Sequence, residues 1–389
     1  MNSTIAVPQR LDPLTAGEIA AVRALLAADG RLRPTHRFPL VELDETPSLP
    51  RGARVTLLDR AGGAVSVVRV QLDPPGIVEW HQIPVDAPPY GQPPITVEEF
   101  LGLPDIVKAD PGWVAAVLRR GVTEEELPLV QVDPFSAGHF PTAETAGLRL
   151  VRAVAYWRGG PKDNGYAHPI EGVVAVVDLN AGRVVELWED PDPIPVPRQP
   201  ANYHREAMPP PRTDLKPLHI QQPEGPSFSV DGWQVDWQGW RFRVGFTPRE
   251  GLVLHDLSIR DGSERRQILK RASIAEMVVP YADPGTNHFW KSAFDSGEYG
   301  LGKLANALEL GCDCLGLIHY FDVPAADDDG HPTVMQNAIC LHEEDYGVLW
   351  RHVEFRTGVH EVRRSRRLVI SFFATVGNYD YGFFWYLYQ

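Results

Sequence analysis

Proline limits the fold of this sequence more than any other residue type. It makes up 36 of the 389 residues, about 9% where ~5% is usual. Because proline fixes φ and lacks a backbone N–H donor, it interrupts helix interiors and sheet ladders. Eight prolines lie between positions 191 and 211, a spacing that favours an extended connector. This content argues against an all-helical architecture and favours short strands joined by extended segments.

The segment before this connector shows the same order of elements twice. Thr15 and Thr96 each begin a capping-box pattern, with glutamate three residues later. Runs typical of strands follow these helices, at 54–58 and 64–72 and then at 150–157, 173–179 and 183–188. The order predicts two small α+β domains, over residues 11–95 and 96–190.

The segment after the connector, which we place at 191–222, changes to a β pattern. Large apolar residues occupy every second position at Trp233, Val235 and Trp237, and again at Trp240, Phe242, Val244 and Phe246. This alternation is typical of strands with one buried face. A single short helix is expected later, at 301–310. We therefore predict that residues 223–389 are mostly β.

The charge balance and the cysteine count exclude several classes of protein. The formal net charge is −14, so the basic surface that nucleic-acid binding requires is not expected. The three cysteines are too few for a disulfide scaffold. The longest apolar stretch, 368–376, is far shorter than the ~20 residues of a membrane-spanning helix. The N-terminus does not resemble a signal peptide, and we expect a cytoplasmic protein with no membrane partner.

The most informative motif lies near the C-terminus. Thr375 is followed by Asn378-Tyr379-Asp380-Tyr381, which resembles the cofactor motif of the copper-containing primary-amine oxidases. In that family the first tyrosine of the motif is oxidised in place to topaquinone. The resemblance implies that Tyr379 is the topaquinone precursor, which forms a Schiff base with the amine, and that Asn378 helps to hold the ring.

Further blocks are similar to the same family and cover almost everything from Leu11 onward. They lie at 166–172, 222–228, 248–255, 281–284, 294–299, 311–316 and 340–345. The resemblance implies that Asp295 is the proton acceptor and that Tyr281 hydrogen-bonds the cofactor oxygen. It also implies a disulfide between Cys314 and Cys340, although most cysteines remain thiols in a reducing cytosol.

The same resemblance implies a fold and a reaction. The fold is α+β: two small cystatin-like α+β domains, then the incomplete N-terminal part of a catalytic β-sandwich domain at 223–389. The substrates are a primary amine and dioxygen, and the products are an aldehyde, ammonia and hydrogen peroxide. An ortho-quinone made from a tyrosine ring carries carbonyls that an amine attacks. Asp295 then removes a proton if burial keeps its pKa near neutral.

Two features depart from the family pattern. The copper ligands of the family are three histidines beyond the cofactor tyrosine, two of them in a His-x-His pair. None of the 13 histidines here is two positions from another, so we assign no metal ligand within this chain. The family commonly has a bulkier residue than Ala293 beside the channel to the cofactor, so larger amines are expected to enter.

The end of the sequence predicts an enzyme truncated shortly after its cofactor tyrosine. Seven of the ten residues from Tyr379 to Tyr388 are aromatic, as in an interior strand of an unfinished sheet. The chain alone is then inactive, and a second polypeptide or a missing C-terminal half supplies the copper histidines. A homodimer is expected if the protein is complete.

Two alternatives remain open at this point. The chain could be a non-catalytic remnant or interaction protein that kept the fold and lost the chemistry. It could also come from a gene cut short by a frameshift or a sequencing error. A reading frame that encodes His-x-His downstream of the codon for Gln389 separates the enzyme from the remnant.

Overall fold

The first α+β unit is one helix packed on a four-stranded antiparallel sheet. The structure is a computed structural model that describes residues 8–87, 91–138 and 144–389. Helix α1 (Ala16–Asp29) begins at the predicted capping box and ends at Gly30, whose φ of 84° is left-handed. The strands, in their order across the sheet, are β1 (His36–Leu43), β2 (Gly52–Asp59), β3 (Val65–Leu72) and β4 (Pro75–Ile83). The buried face of α1 covers this sheet.

Strand β4 is an element that the sequence did not predict. Prolines at 74, 75 and 84 surround it, and their density argues against a strand. However, Pro75 is the first residue of β4, and β4 is an edge strand. A proline at the first residue of an edge strand removes no ladder hydrogen bond, so β4 forms although it begins with a proline.

The second α+β unit repeats the plan with an additional helix. Helix α2 (Val97–Lys108) begins at the second predicted capping box, and α3 (Pro111–Arg119) begins with a proline in the first turn. The antiparallel strands are β5 (Gln131–Ser136), β6 (Leu150–Tyr156), β7 (Val173–Asp178) and β8 (Arg183–Glu189). Short 3-10 turns lie at Leu127–Leu129 and Gly165–Ala167.

The C-terminal part contains two facing antiparallel sheets. One consists of β9 (Phe228–Asp231), β10 (Gln234–Trp237), β11 (Trp240–Thr247), β12 (Gly251–Asp261) and β13 (Glu264–Ala272). The other consists of β16 (His319–Ala326), β17 (Pro332–Val353), β18 (His360–Val376) and β19 (Tyr379–Tyr388). Between the two sheets in the sequence lie a ribbon of β14 (Val278–Pro280) and β15 (Ser292–Phe294) and the single-turn helix α4 (Asp295–Glu298).

One hydrophobic core joins the two large sheets. Trp237, Phe242 and Leu254 of the five-stranded sheet contact the same cluster as Ile339 and Phe372 of the other sheet. Sheets that bury one face against each other form a β-sandwich. The predicted class, two α+β units followed by the beginning of a β-sandwich, is confirmed.

The predicted helix at 301–310 is wrong. Gly300 has a φ of 82°, and a Cβ at Gly302 would collide with the carbonyl oxygen of Thr247. Residues 301–304 form turns and the segment then pairs with β18: Asn306 N donates to Phe373 O at 2.8 Å, and Thr375 N donates to the carbonyl oxygen of residue 304 at 3.3 Å. Pairing with a neighbouring strand has therefore overridden the local helical pattern.

The predicted domain boundaries at 11–95, 96–190, 191–222 and 223–389 remain a prediction. No helix or strand lies between Glu189 and Phe228, all of whose intervening residues the structure describes. Each of the first two sheets falls inside one predicted range. Across the described ranges, no α-helix has the length and apolar character needed to cross a bilayer.

A buried ion pair fixes α2 on the second sheet. Glu99 in the first turn of α2 accepts hydrogen bonds from Thr96 N at 2.9 Å and from Arg149 Nη2 at 2.7 Å. Burial raises the pKa of Glu99, but the hydrogen bond and the charge of Arg149 hold this pKa below its ordinary value of 4.5. The pair therefore adds stability above the unfolded-state pKa, and the protein loses it as the pH falls through the folded-state pKa.

Replacing Arg149 with methionine is expected to lower the free energy of unfolding by about 3 kcal/mol, because the buried Glu99 carboxylate loses its close hydrogen-bonded partner and keeps only the more distant Arg60, at 4.0 Å. Urea titration at neutral pH measures the change. The matched control is Arg364→Met, whose partner Asp345 is exposed, and it is expected to leave the unfolding midpoint unchanged. Equal effects of the two substitutions would contradict this account.

Candidate active site

A cavity of about 540 Å³ lies between the second α+β unit and the β-sandwich. The sequence-predicted residues Tyr281, Asp295, Asn378 and Tyr379 all line it. Residues of the second unit complete the wall, among them Phe100, Asp133, Phe135, Tyr156, Tyr166 and Glu171. The predicted site residues, which are up to 98 positions apart in sequence, therefore meet in one cavity.

The β18–β19 hairpin positions the tyrosine. Val376 pairs with Tyr379, so Gly377 and Asn378 form a two-residue turn. Gly377 has a φ of 57°, which suits the primed turns that match strand twist. The glycine thus permits the turn that begins β19.

A polar side-chain network fixes this turn. Thr375 Oγ1 donates to Asp380 Oδ1 at 2.9 Å across the hairpin, and it accepts from Asn306 Nδ2 at 3.0 Å. Because side chains alternate along a strand, Asp380 lies on the opposite face from Tyr379 and Tyr381. The network therefore holds β19 with these two tyrosine rings facing the cavity.

The β14–β15 ribbon positions the other two groups. Val278 pairs with Phe294 and Pro280 pairs with Ser292, so Tyr281 and Asp295 follow the two strands at opposite ends of the ribbon. Asp295 begins α4, and its N–H donates to the carbonyl oxygen of Met277 at 3.3 Å. The antiparallel pairing therefore separates the phenol from the carboxylate.

Two hydrogen bonds join the ribbon to the hairpin. The hydroxyls of Tyr281 and Tyr379 are 2.7 Å apart, and the hydroxyl of Tyr381 donates to Asp295 Oδ2, also at 2.7 Å. The rings of Tyr379 and Tyr381 are nearly parallel, with an interplanar angle of 19° and centroids 6.5 Å apart. Asp295 therefore shares the cavity with Tyr379, but its hydrogen bond is to Tyr381, the next side chain on the same face of β19.

The environment of Asp295 favours its protonated form. The residue is only 4% exposed. Burial raises the pKa of its carboxyl, the hydrogen bond from Tyr381 opposes this, and the negative charge of Glu276 raises the pKa further. The net direction is upward, which makes the carboxylate a stronger base than an exposed aspartate.

The two phenols bonded to the site residues also have raised pKa values. Burial and the hydrogen bond to Tyr379 raise the pKa of Tyr281, and burial and Asp295 raise that of Tyr381. Both hydroxyls therefore carry their protons at neutral pH. A protonated phenol can donate to an oxygen that gains negative charge.

Sequence reasoning missed several residues of the cavity. Tyr381 belongs to the motif at 378–381 and Glu171 to the block at 166–172. The resemblance to the family therefore covered both residues but assigned neither of them a role. His288 and Lys291 lie between the blocks at 281–284 and 294–299 and had no signal. Phe100 on α2 had none either, because only the docking of the second unit on the sandwich brings it to the cavity.

The structure places the cysteines outside this cavity. Cys314 and Cys340 form a disulfide between the segment before β16 and strand β17, and Cys312 is an exposed thiol. His342 lies beside them, with its Nδ1 3.3 Å from Cys340 Sγ. Within the described ranges these three residues are the only group of His, Cys, Asp or Glu ligand atoms close enough together for a metal ion. None of them lines the cavity.

Comparison with known proteins matches three successive segments to one group of family models. Residues 15–79 match the AGAO-like N2 domain, 98–207 the copper amine oxidase N3 domain, and 229–389 the copper amine oxidase enzyme domain.

Individual proteins agree with these matches. The primary amine oxidase of Arthrobacter sp. (strain P1) is 46% identical over all of this chain and 60% of its own length. The histamine oxidase of Arthrobacter globiformis is 46% identical over 97% of this chain and 56% of its own length. A crystal structure of a copper-containing benzylamine oxidase from Hansenula polymorpha aligns with a TM-score of 0.84 and 28% identity, over 98% of this chain and 62% of that one. The chain therefore spans about 60% of the relatives that it matches.

Replacing Tyr381 with phenylalanine is expected to raise the pKa of Asp295 further, because the hydrogen bond that opposes the effect of burial is lost. Titration of the aspartate carboxyl ¹³C signals measures the shift. Tyr379→Phe is the matched control, since Tyr379 bonds to Tyr281 and not to Asp295. The assignment of the Tyr381 contact is wrong if both variants titrate like the parent protein.

Proposed function

The chain belongs to the copper amine oxidase family, and from this premise we propose that the complete protein oxidises primary amines to aldehydes. Dioxygen is the electron acceptor, and ammonia and hydrogen peroxide are the other products. One observation carries the proposal: a buried carboxylate with a raised pKa, Asp295, shares a cavity with a tyrosine hydroxyl, Tyr379, whose position a second phenol holds.

We propose that Tyr379 is the precursor of topaquinone. Its side chain fits that role because it is 51% exposed, which leaves the ring open to reagents, while its hydroxyl is anchored by Tyr281. In the oxidised form this group supplies an electrophilic carbonyl and takes up the electron pair that the amine loses. Tyr281 donates to the ring oxygen and orients it, and Asn378 closes the turn that directs the ring into the cavity.

Asp295 is the proposed proton acceptor. A base is most effective when its pKa is near the working pH, and burial moves the pKa of Asp295 in that direction. The hydrogen bond from Tyr381 fixes one carboxylate oxygen, Oδ2. The other oxygen is then the one that receives the proton from the carbon next to the amine nitrogen.

The remaining cavity wall suits an amine with an apolar side chain. Phe100, Phe135 and Tyr156 supply apolar and aromatic surface. The carboxyl groups of Asp133 and Glu171 supply negative charge that attracts a protonated amine into the cavity. Arylalkylamines combine these two properties, and we propose them as substrates.

The described residues do not provide the copper site of the family. Their one candidate metal group has two sulfurs joined in a disulfide and lies outside the cavity. We therefore derive no step through copper. We propose that its ligands come from a second polypeptide or from the part of the relatives that this chain does not cover.

Three further assignments remain proposals. The domain division is 11–95, 96–190, 191–222 and 223–389, which is supported by the sheets that these ranges contain. A homodimer is supported by the outer part of the β17–β18 hairpin, where Val348, Trp350 and Phe355 are exposed. The location is cytoplasmic, although some plant and yeast relatives have names that place them in peroxisomes.

The proposed roles predict separate effects of two substitutions. The test protein is this chain fused to the C-terminal part of the Arthrobacter sp. primary amine oxidase and loaded with copper. Asp295→Asn is expected to lower turnover of phenethylamine at least about 100-fold, because the base is lost, and to keep the quinone that phenylhydrazine labels. Tyr379→Phe is expected to abolish both. Hydrogen peroxide release and the phenylhydrazine absorbance are the measurements.

The outcomes separate the hypotheses. Full turnover of Asp295→Asn would exclude Asp295 as the base. A phenylhydrazine adduct in Tyr379→Phe would exclude that residue as the precursor. A fusion protein with neither signal, although folded and copper-loaded, would favour the non-catalytic remnant.

The size of residue 293 is expected to set access to the cavity. Ala293 lines the cavity wall, and tyrosine there fills part of the space. Ala293→Tyr in the same fusion protein is expected to raise KM for phenethylamine several-fold and to change that for methylamine little. Steady-state kinetics with the two amines measure the ratio. An equal change for both amines would show that this position does not select by size.

A further inference from the structure

A buried lysine in the cavity has no role in the proposed reaction. Lys291 is only 6% exposed. No carboxylate oxygen of the described residues lies within 4.0 Å of its Nζ, since none of their ion pairs involves this lysine. The Nζ is instead 4.5 Å from the ring centroid of Phe135 and 5.4 Å from that of Tyr281. The amine is therefore surrounded mainly by aromatic surface.

Burial makes this amine more reactive than an exposed lysine. It lowers the pKa of Lys291 to about 8, and the negative charges of Glu171 and Asp133 oppose this effect only in part. At pH 7 a larger fraction of this amine is therefore unprotonated than in a lysine of ordinary pKa. Only the unprotonated form is a nucleophile.

A histidine lies where it can exchange protons with the amine. His288 Nδ1 is 3.4 Å from Lys291 Nζ, and His288 Nε2 is 4.0 Å from Glu171 Oε1. The imidazole also stacks on the ring of Tyr281, with centroids 5.9 Å apart and an interplanar angle of 13°. A carboxylate, an imidazole and an amine thus follow one another along the cavity wall, an order typical of an activated nucleophile.

The fold holds these three groups in place. Lys291 N donates to His288 O at 2.8 Å, which closes the turn between the two residues. The buried Asn287 Oδ1 accepts from Gly172 N at 2.8 Å, and Asn287 Nδ2 donates to Ile170 O at 3.2 Å. These bonds flank Glu171 on both sides, so the turn and the carboxylate keep their relative positions.

We propose that Lys291 is a covalent binding site for aldehydes, with which it forms an imine in this cavity. The nitrogen lone pair attacks the carbonyl carbon, and the carbonyl π pair moves to oxygen. His288 passes two protons from nitrogen to oxygen in turn: the first converts the alkoxide to the hydroxyl of a carbinolamine, and the second lets that hydroxyl leave as water while the C=N bond forms. The sum is lysine amine plus aldehyde giving imine plus water, with no change of oxidation state.

The biological meaning rests on the proposed function, because an amine oxidase produces aldehydes in this same cavity. An aldehyde held by Lys291 delays its own release and blocks the next amine, so the site acts as a product trap. The aromatic walls favour aryl aldehydes over formaldehyde. The binding chemistry itself requires neither copper nor an oxidised Tyr379.

The cavity contains a matched control lysine. Lys303 also lines the wall, but its Nζ is 3.1 Å from Asp328 Oδ1 and 3.3 Å from Pro39 O. Both oxygens engage the Nζ of Lys303, so we expect Lys303 to react with the aldehyde more slowly than Lys291.

Reductive trapping of the full 389-residue chain tests the proposal. The protein is incubated at pH 7 with benzaldehyde and sodium cyanoborohydride, which reduces an imine to a stable benzylamine, and peptides are then mapped by mass spectrometry. Labelling of Lys291 is expected to be at least about tenfold faster than that of Lys303 or of the exposed Lys270. His288→Asn is expected to slow the labelling of Lys291 and to leave Lys270 unchanged.

The controls give each outcome a meaning. Lys291→Gln should remove the rapidly formed label, and Lys303→Gln should keep it; thermal unfolding verifies that both variants are folded. Labelling of Lys291 no faster than that of Lys270, or a rapid label that persists in Lys291→Gln, overturns the proposal. Rapid labelling of a protein that fails to oxidise amines in the fusion test refutes the proposed function alone.

Discussion

The site depends on the match between the spacing of a strand and the length of a ribbon. Tyr379 and Tyr381 are two residues apart and therefore lie on one face of β19. Tyr281 and Asp295 follow the two strands of the three-residue ribbon at its opposite ends, and each contacts one of these two rings. Both contacts are 2.7 Å, so one docking event places a phenol at the first ring and a carboxylate at the second. A shift of the ribbon relative to β19 would therefore break both hydrogen bonds together.

The second α+β unit gives this pair of contacts its chemical environment. The hairpin and the ribbon form one side of the cavity, and Phe100, Phe135 and Tyr156 of the second unit form another. Burial removes water from Asp295 and Lys291, and this loss of water is the first cause of the raised pKa of Asp295 and of the lowered pKa of Lys291. One feature of the fold thus strengthens a base and a nucleophile in the same cavity. The two groups keep separate positions because Tyr381 holds the base and the 288–291 turn holds the amine.

The sequence could predict features that local chemistry specifies. The capping boxes at Thr15 and Thr96 predicted both helix starts, because the side chains that close each box are three residues apart. The prediction of a helix at 301–310 was wrong because the backbone groups of this segment bond to distant segments, among them β18, about 70 residues later. The resemblance assigned roles to four residues that line the cavity, but short motifs carry no information on which partner each side chain meets. The contact of Asp295 with Tyr381, and the presence of Lys291 and His288, required the packing of separate elements.

The two-residue turn at Gly377 and Asn378 has a consequence for how such a protein can vary. Because consecutive side chains of β19 face opposite sides, inserting or deleting one residue between Thr375 and Tyr381 would exchange the faces of Asp380 and its tyrosine neighbours. The ribbon would then meet an aspartate where it needs a phenol. This hairpin can therefore accept substitutions on its outer face but no change of length, so its residue count is under stronger constraint than most of its residue identities.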